Sequence, residues 1–354
     1  MNDLHQLVSK FKDEQLALPI WFENDSLKIL NQLKLPFQEE YNTIHSVKDL
    51  AKAIKDMNIR GSGALGISGA YGIYLAALKS KGNINEIYEA GKLLKSTRPT
   101  AINLMKTVDE VLGSVSGRPE EVISRVETKV IEVLKRQLEF EHKLGEYGAT
   151  LIDDGDTIMT YCHSGAVGGS GYGGRALSVI RKAFDQGKNI NVIACETRPY
   201  LQGARITAYE LKKFGIPHTL ITDNMSGICM KEGIIQKIVV GSDRVACNGD
   251  LANKVGTYMH ALVANEHNIP FYTATSSHTI DFDTDNGDSI EIEYRDATEV
   301  TYINNSPIAL EGTKAIYPSF DITPNHLIKG IITEKGVISA PFKQNLKVLK
   351  TQFV

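Results

Sequence analysis

The chain has 354 residues, 42% hydrophobic and 23% charged, with 39 Lys plus Arg against 42 Asp plus Glu and a formal net charge of −3. A chain of this length buries roughly three quarters of its apolar surface, and its ordinary composition excludes a disordered or fibrous protein. There is no basic excess to drive phosphate-backbone binding, so no nucleic-acid partner is expected. The longest apolar run, Ala64 to Leu78, spans about 15 residues and carries three glycines. A bilayer span needs about 20, so the run predicts a buried core helix and no membrane partner.

The start, MNDLHQLVSKFKDEQ, is charged throughout and lacks a signal-peptide core. The cysteines are Cys162, Cys195, Cys229 and Cys247. None forms CxxC and none has zinc spacing with histidine, so no metal is expected. Scattered thiols with no export signal predict a reduced, cytoplasmic protein.

In chain order, Leu27, Ile29 and the run Tyr41 to Ile44 have strand spacing. Ser46 is a candidate N-cap for a helix with Val47, Leu50, Ile54 and Met57 on one face. Arg60–Gly61–Ser62–Gly63 interrupts, and the small-residue helix begins at Ala64. A helix follows over about Ile84 to Leu94, and a long one over Pro119 to Tyr147. Pro119 suits a first turn, with Glu120 and Glu121 against the positive helix end. From Thr150 strands alternate with helices. Strands are expected at Thr157–Cys162, Ile190–Cys195, Pro217–Thr222, Ile238–Gly241 and Pro270–Ala274. Helices are expected near Ala176–Phe184, Ala204–Phe214, Met225–Glu232 and Lys254–His267. That alternation implies parallel pairing with right-handed crossovers, a doubly wound α/β sheet. The predicted division is a smaller, mostly helical domain at 1–118, a connecting helix at 119–149 and the α/β domain at 150–354.

Ligands of open parallel sheets bind at the carboxyl ends of the strands. The predicted strands end in Cys162–His163–Ser164, Glu196–Thr197–Arg198, Asp223–Asn224, Ser242–Asp243–Arg244 and Thr275–Ser276–Ser277–His278. Five polar endings on one rim predict a polar pocket. The loop after the first strand carries Gly165, Gly168, Gly169, Gly171, Gly173 and Gly174. Glycines ahead of a helix let backbone amides reach a phosphate; a tight turn with close helix–sheet packing would use the same residues. Neither the dinucleotide fingerprint nor a Walker lysine is present at this turn, which argues against NAD and ATP.

Cys162, at a strand end ahead of a helix, is placed for a lowered thiol pKa, or is a buried spacer. Asp243 follows the apolar run Ile238–Val239–Val240. It is either a general acid in a partly apolar pocket or a partner of Arg244. Lys254 beside Asn253, at an expected helix start, could balance an anionic ligand or be solvated. Arg60 and Arg98, beside loop glycines and Pro99, suit bidentate phosphate contacts. His163 is expected to point away from Cys162 if the strand continues.

Several segments carry a resemblance. ETRPYLQGARITAYEL (196–211), ITDNMSG (221–227), VGSDRVACNGDLANKVGTY (240–258), RPTAINL (98–104) and EGTKAIYPSFDITP (311–324) resemble the methylthioribose-1-phosphate isomerase family. That family shares a superfamily with the regulatory subunits of eukaryotic initiation factor 2B. The likeness runs from about 18 to 338. It implies a small N-terminal α+β domain followed by a Rossmann-like domain, a homodimer, no metal or organic cofactor, and an aldose–ketose isomerase acting on a 5-substituted ribose 1-phosphate in methionine salvage. Carried over by motif, Cys162 and Asp243 are the catalytic pair. Contacts to the sugar phosphate fall on Arg60, Gly61, Ser62, Arg98, Gln202, Asn253 and Lys254.

The residue types suit that chemistry. Protonating the ring oxygen helps open a ring that its anomeric phosphate keeps closed, and Asp243 could supply the proton. Hydrogen then moves from C2 to C1, by enolisation with Cys162 as base or by hydride shift. The chain departs from the family pattern in RGSGALG (60–66), in His163–Ser164 after the cysteine where Asn–Ala is usual, and in Ser276–Ser277–His278. These departures at pocket loops admit 5-deoxyribose 1-phosphate or ribose 1,5-bisphosphate as rival substrates. His163 or His278 would favour a more polar C5 group. A non-catalytic regulatory subunit is the rival of another class, and the retained Cys162, Asp243 and Asn253–Lys254 argue against it.

Overall fold

The computed structural model describes residues 3–98 and 101–351. Pro99 and Thr100 of the RPTAINL segment, and the chain ends, lie outside the described residues. The chain forms two compact units, Met1–Glu141 with Gly165–Gly174, and His142–Ser164 with Arg175–Val354. Among the described residues no helix is long and apolar enough to cross a membrane.

The first unit opens with α1 (Asp3–Asp13) and an antiparallel sheet of β1 (Ile20–Glu23), β2 (Ser26–Leu30) and β3 (Tyr41–Ile44). Then come α2 (Val47–Lys55), α3 (Ser62–Lys79), α4 (Ile84–Thr97), α5 (Ile102–Leu112) and α6 (Pro119–Ala149). Ser46 caps α2 as its sequence predicts, its hydroxyl accepting from the Asp49 amide at 3.2 Å. Helix α3 is buried on all sides, as its apolar run requires. Its glycines admit neighbours: a Cβ at Gly72 would sit 2.7 Å from Leu94 and 2.8 Å from Leu50. Two helices of this unit escape the sequence reading. Leu4, Leu7, Val8 and Phe11 bury one face of α1, but the surrounding charges mask that spacing. Helix α5 buries Leu104, Val108, Val111 and Leu112, too short a stripe to stand out in the sequence.

The second unit is built on a seven-stranded sheet. Its strands are β4 (Thr157–Thr160), β5 (Asn191–Cys195), β6 (His218–Ile221), β7 (Lys237–Val240), β10 (Phe271–Ala274), β15 (Gly330–Thr333) and β16 (Gly336–Ile338). The order across the sheet is β16-β15-β10-β7-β4-β5-β6. All neighbours pair parallel except β15 with β16. Successive strands step one way from β4 through β5 to β6, then the chain returns to the other side of β4 for β7, β10 and β15. With right-handed crossovers this reversal places the connecting helices on opposite faces. One face is packed by Met159, Ile193, Ile238, Phe271 and Ile331 with Ala261 and Ala264 of the helix α10 (Thr257–Glu266). The α/β, doubly wound architecture is the one the alternating pattern predicts.

The remaining helices are α7 (Ala176–Asp185), α8 (Ala208–Lys213), α9 (Ser226–Lys231), α11 (Thr298–Thr301) and α12 (Phe342–Thr351). A second, four-stranded sheet has β8 (Arg244–Ala246), β9 (Leu251–Lys254), β11 (Ile280–Asp281) and β14 (Phe320–Thr323), and a ribbon pairs β12 (Tyr302–Ile303) with β13 (Ser306–Pro307). That sheet corrects one expectation. Asn253 and Lys254 do not start a helix; they end β9, and α10 begins at Thr257. Gly256 sits at φ +104, a left-handed turn between strand and helix that a side chain would resist.

Candidate active site

The strand order reverses between β4 and β7, so the crevice of this sheet lies outside the carboxyl ends of those two strands. Cys162 follows β4 by two residues and Asp243 follows β7 by three. The two residues that the resemblance assigns to catalysis thus leave the pair of strands flanking the switch point.

Cys162 is half-buried and adopts φ +66, a conformation that costs a non-glycine residue about 1–3 kcal/mol and persists only when its surroundings hold it. Here its N–H donates to Thr197 Oγ1 at 2.9 Å and its carbonyl accepts from Thr207 Oγ1 at 3.0 Å. Gln202 Nε2 donates to its sulfur at 3.3 Å. The loop after β5 that supplies Thr197 and Gln202 is fixed in turn by Asp223. Its two carboxylate oxygens accept the N–H groups of Thr197 and Arg198 at 2.8 and 2.7 Å. Burial raises the Asp223 carboxyl above the usual carboxylate range, and those two amides oppose the shift. Gly203 is obligatory in this loop, since a Cβ there would lie 1.7 Å from the Cys195 carbonyl oxygen.

His163 departs from expectation. The strand ends at Thr160, and the His163 ring turns toward α8, where Nε2 lies 3.2 Å from Glu210 Oε1. Asp243 is anchored through its N–H, which donates to the Ala252 carbonyl at 3.0 Å. Its side chain is exposed, so the second unit does not hold it in the partly apolar pocket that its neighbours in sequence suggested. Arg244 turns to Asp281, 3.6 Å away. Beside Asp243, Ser242 and Thr275 share a hydroxyl hydrogen bond, and Thr273 Oγ1 donates to the Gly241 carbonyl at 3.0 Å.

Asn253 and Lys254 are each 3% exposed. The Asn253 amide donates to Thr257 Oγ1 at 3.0 Å. Lys254 Nζ lies 3.2 Å from the Tyr317 hydroxyl and 5.3 and 5.2 Å from the ring centres of Tyr317 and Phe320. The solvated alternative for Lys254 is therefore wrong. Among the described residues no carboxylate lies within ion-pair distance of it, so this buried cation is held by two aromatic faces and a phenol. Asp321, opposite Asn253 on β14, accepts from the Gly256 amide at 2.6 Å and the Tyr258 amide at 3.2 Å. Burial pushes its carboxyl up to about 6, against the lowering by those amides and by Lys254.

Four of the nine expected residues belong to the first unit: Arg60, Gly61, Ser62 and Arg98. Ser62 Oγ accepts from Asn103 of the RPTAINL segment at 2.6 Å, which joins that segment to RGSGALG. Arg98 Nη1 lies 3.1 Å from Met57 Sδ. Gly61 has φ +101, and a Cβ on it would meet Gly168 Cα at 2.3 Å, so the glycine-rich loop packs directly on the start of α3.

Much of that loop is not free to cradle a phosphate. The carboxylate of Glu141, on α6 and 0% exposed, accepts the amides of Ser170, Tyr172 and Gly173, the last two at 3.1 Å. An internal carboxyl group fills the nest that the glycines form; burial raises its pKa, and the amides oppose the shift. The tight-turn alternative holds for this stretch. Glu141 has no signature in the sequence, lying on a long charged helix.

Among the described residues one set could hold a metal ion. Cys195, Asp223 and His260 place ligand atoms within 4.8 Å of one another. Burial pushes the His260 pKa down to about 4 and raises the Cys195 thiol. The Ser226 hydroxyl donates to the Asp223 carbonyl at 2.9 Å, so His260 Nδ1, 2.9 Å away, is the donor to Ser226.

A model of the initiation factor 2 subunit family matches residues 58–340. The methylthioribose-1-phosphate isomerase of Thermosipho africanus is 46% identical over 332 residues, 92% of this chain and 96% of that protein. The protein of the same name from Acetivibrio thermocellus is 45% identical over 338 residues, 93% and 98% of the two chains. The crystal structure of 5-methylthioribose 1-phosphate isomerase from Pyrococcus horikoshii superposes with a TM-score of 0.92 at 34% identity, covering 96% of this chain and 98% of that one. One titled translation initiation factor eIF-2B, subunit delta, from A. fulgidus gives 0.88 at 40% identity, covering 94% and 99%. With most of its length matched at such identity, the chain belongs to the initiation factor 2 subunit family, among its methylthioribose-1-phosphate isomerases.

Proposed function

We propose that the protein is an aldose–ketose isomerase converting S-methyl-5-thioribose 1-phosphate to the corresponding ribulose 1-phosphate, a step of methionine salvage. The observation that carries the assignment of roles is the departure of Cys162 and Asp243 from the two strands that flank the switch point of the sheet. Asp243 protonates the ring oxygen as the C1–O4 bond opens. Cys162, as a base, takes the hydrogen from C2 and returns it to C1, and the C2 hydroxyl proton passes to the Asp243 carboxylate as the ketone forms, restoring the acid. Gln202 supports the thiolate by donating to its sulfur. Lys254, buried with no carboxylate in ion-pair distance among the described residues, is suited to an anionic ligand, and we assign it to the phosphate; Arg60 and Arg98 are proposed as further phosphate contacts, and Gly61, Ser62 and Asn253 as sugar-phosphate contacts. Fixing the phosphate leaves the ring one reactive orientation.

The test is turnover by the purified chain on methylthioribose, 5-deoxyribose and ribose 1-phosphates and on ribose 1,5-bisphosphate. Highest kcat/KM on the methylthio sugar is expected. A higher value on another sugar moves the substrate assignment, and no turnover of any leaves the non-catalytic subunit as the reading.

We further propose a symmetric homodimer in the cytoplasm. Exposed Met225, Ile228, Met259 and Leu262 on and beside α9 and α10 supply apolar surface for a partner copy, and four free thiols suit a reducing compartment. A light-scattering mass of one chain, 39.0 kDa, at micromolar concentration would overturn the dimer.

A further inference from the structure

The His163 ring is 7% exposed in a fold where its neighbour Cys162 is strained. Nδ1 lies 3.2 Å from Thr207 Oγ1, and the Thr207 hydroxyl donates to the Cys162 carbonyl at 3.0 Å. A threonine hydroxyl has a single hydrogen. With that hydrogen committed to Cys162, Thr207 Oγ1 can only accept from the ring, so Nδ1 carries the proton. The other edge of the ring faces the carboxylate of Glu210, whose side chain is 0% exposed, at 3.2 Å. That contact is close enough for an ion pair without being aligned as a hydrogen bond.

The chain of donors therefore runs in one direction: His163 Nδ1–H to Thr207 Oγ1–H to the Cys162 carbonyl. On the other side, the Cys162 N–H is held by Thr197. The two peptide groups around the left-handed residue are thus each tied to a threonine hydroxyl, and that of Thr207 is oriented by a further side chain, His163.

We propose that His163 is a positioning residue for Cys162: protonated at Nδ1, it fixes the Thr207 hydroxyl on the Cys162 carbonyl and so holds the backbone turn that presents the thiol. This rests on the isomerase reading, in which that thiol reacts. No covalent step is involved; the effect is orientation, where a shift of about 1 Å costs on the order of 100-fold in rate.

The test combines three variants with a readout that needs no turnover. Nitrogen-15 NMR of the histidine rings in the full chain, with His163 assigned by its loss in His163→Asn, is expected to show a proton on Nδ1. His163→Leu removes the donor and is expected to lower kcat by about 10- to 100-fold with KM within about threefold. It should also slow alkylation of Cys162 by iodoacetamide. His163→Asn puts an amide N–H where Nδ1–H stood and is expected to recover kcat to within about fivefold of the parent. Should His163→Leu fail to fold, Thr207→Val, which keeps the shape and removes the hydroxyl, carries the same expectation. A proton found on Nε2 alone, parental kcat in the leucine or valine variant, or an asparagine variant no better than leucine would overturn the proposal. If the parent turns over no sugar phosphate, the isomerase reading fails, while ring NMR and alkylation still decide the role of His163.

Discussion

Gln202, 1% exposed, donates its side-chain amide to the sulfur of Cys162 at 3.3 Å. Such a donor stabilises a thiolate more than a thiol. Gln202→Leu should therefore slow alkylation of Cys162 by iodoacetamide at pH 7.5. A hydrogen bond to a charged group is worth about 1.5 kcal/mol at the lower end, so about a tenfold loss is expected. An unchanged rate would show that the amide contributes nothing to the thiolate.

The proposed roles separate in kinetics. Cys162→Ser replaces an ionisable thiol with a hydroxyl, and Asp243→Asn removes a transferable proton at constant size. Each should lower turnover by at least about 100-fold while calorimetry finds substrate affinity largely intact. Arg98→Ala should weaken affinity as well as turnover. If the serine and asparagine variants both turn over within a few-fold of the parent, the catalytic assignment fails.

Asp321 makes a prediction about pH. Its carboxyl is pushed up to about 6 by burial, above its ordinary 3.8. The native state thus prefers the protonated form. The stability this gives is fully present below about pH 4 and lost as pH rises through about 6. The difference is on the order of 2–3 kcal/mol. Asp321→Asn stays neutral throughout. Relative to that variant, the parent should lose stability between pH 4 and pH 8 in urea melts. A difference that is constant with pH would refute the assignment.

Glu141, 0% exposed, is a buried carboxyl group whose removal has a definite sign. Glu141→Leu leaves the amides of Ser170, Tyr172 and Gly173 buried without an acceptor. It should cost at least about 3 kcal/mol. Glu141→Gln keeps one acceptor oxygen and should cost less. Urea midpoints of the two variants give the comparison; equal losses would mean that the loop does not depend on this acceptor.

The alternation of β-rich runs and helices after Thr150 was enough to predict the doubly wound sheet, because strand and helix periods are local properties. The same holds for the Ser46 cap and the all-apolar α3. The motif segments carried the family, and with it Cys162 and Asp243. Tertiary structure decided what those residues touch. Which strands flank the switch point depends on the order of pairing across the sheet, which no local pattern encodes. The strained turn at Cys162 is held by Thr197 and Thr207, 35 and 45 residues away in sequence. In sequence Lys254 could equally balance an anion or be solvated at a helix start; the antiparallel pairing of β9 with β14 buries it beside Tyr317 and Phe320. The glycine loop looks like a phosphate cradle until the fold brings Glu141, 29 residues before Ser170, into its amides. In each case the deciding partner is distant in sequence, and a buried polar group takes its charge state and role from such partners.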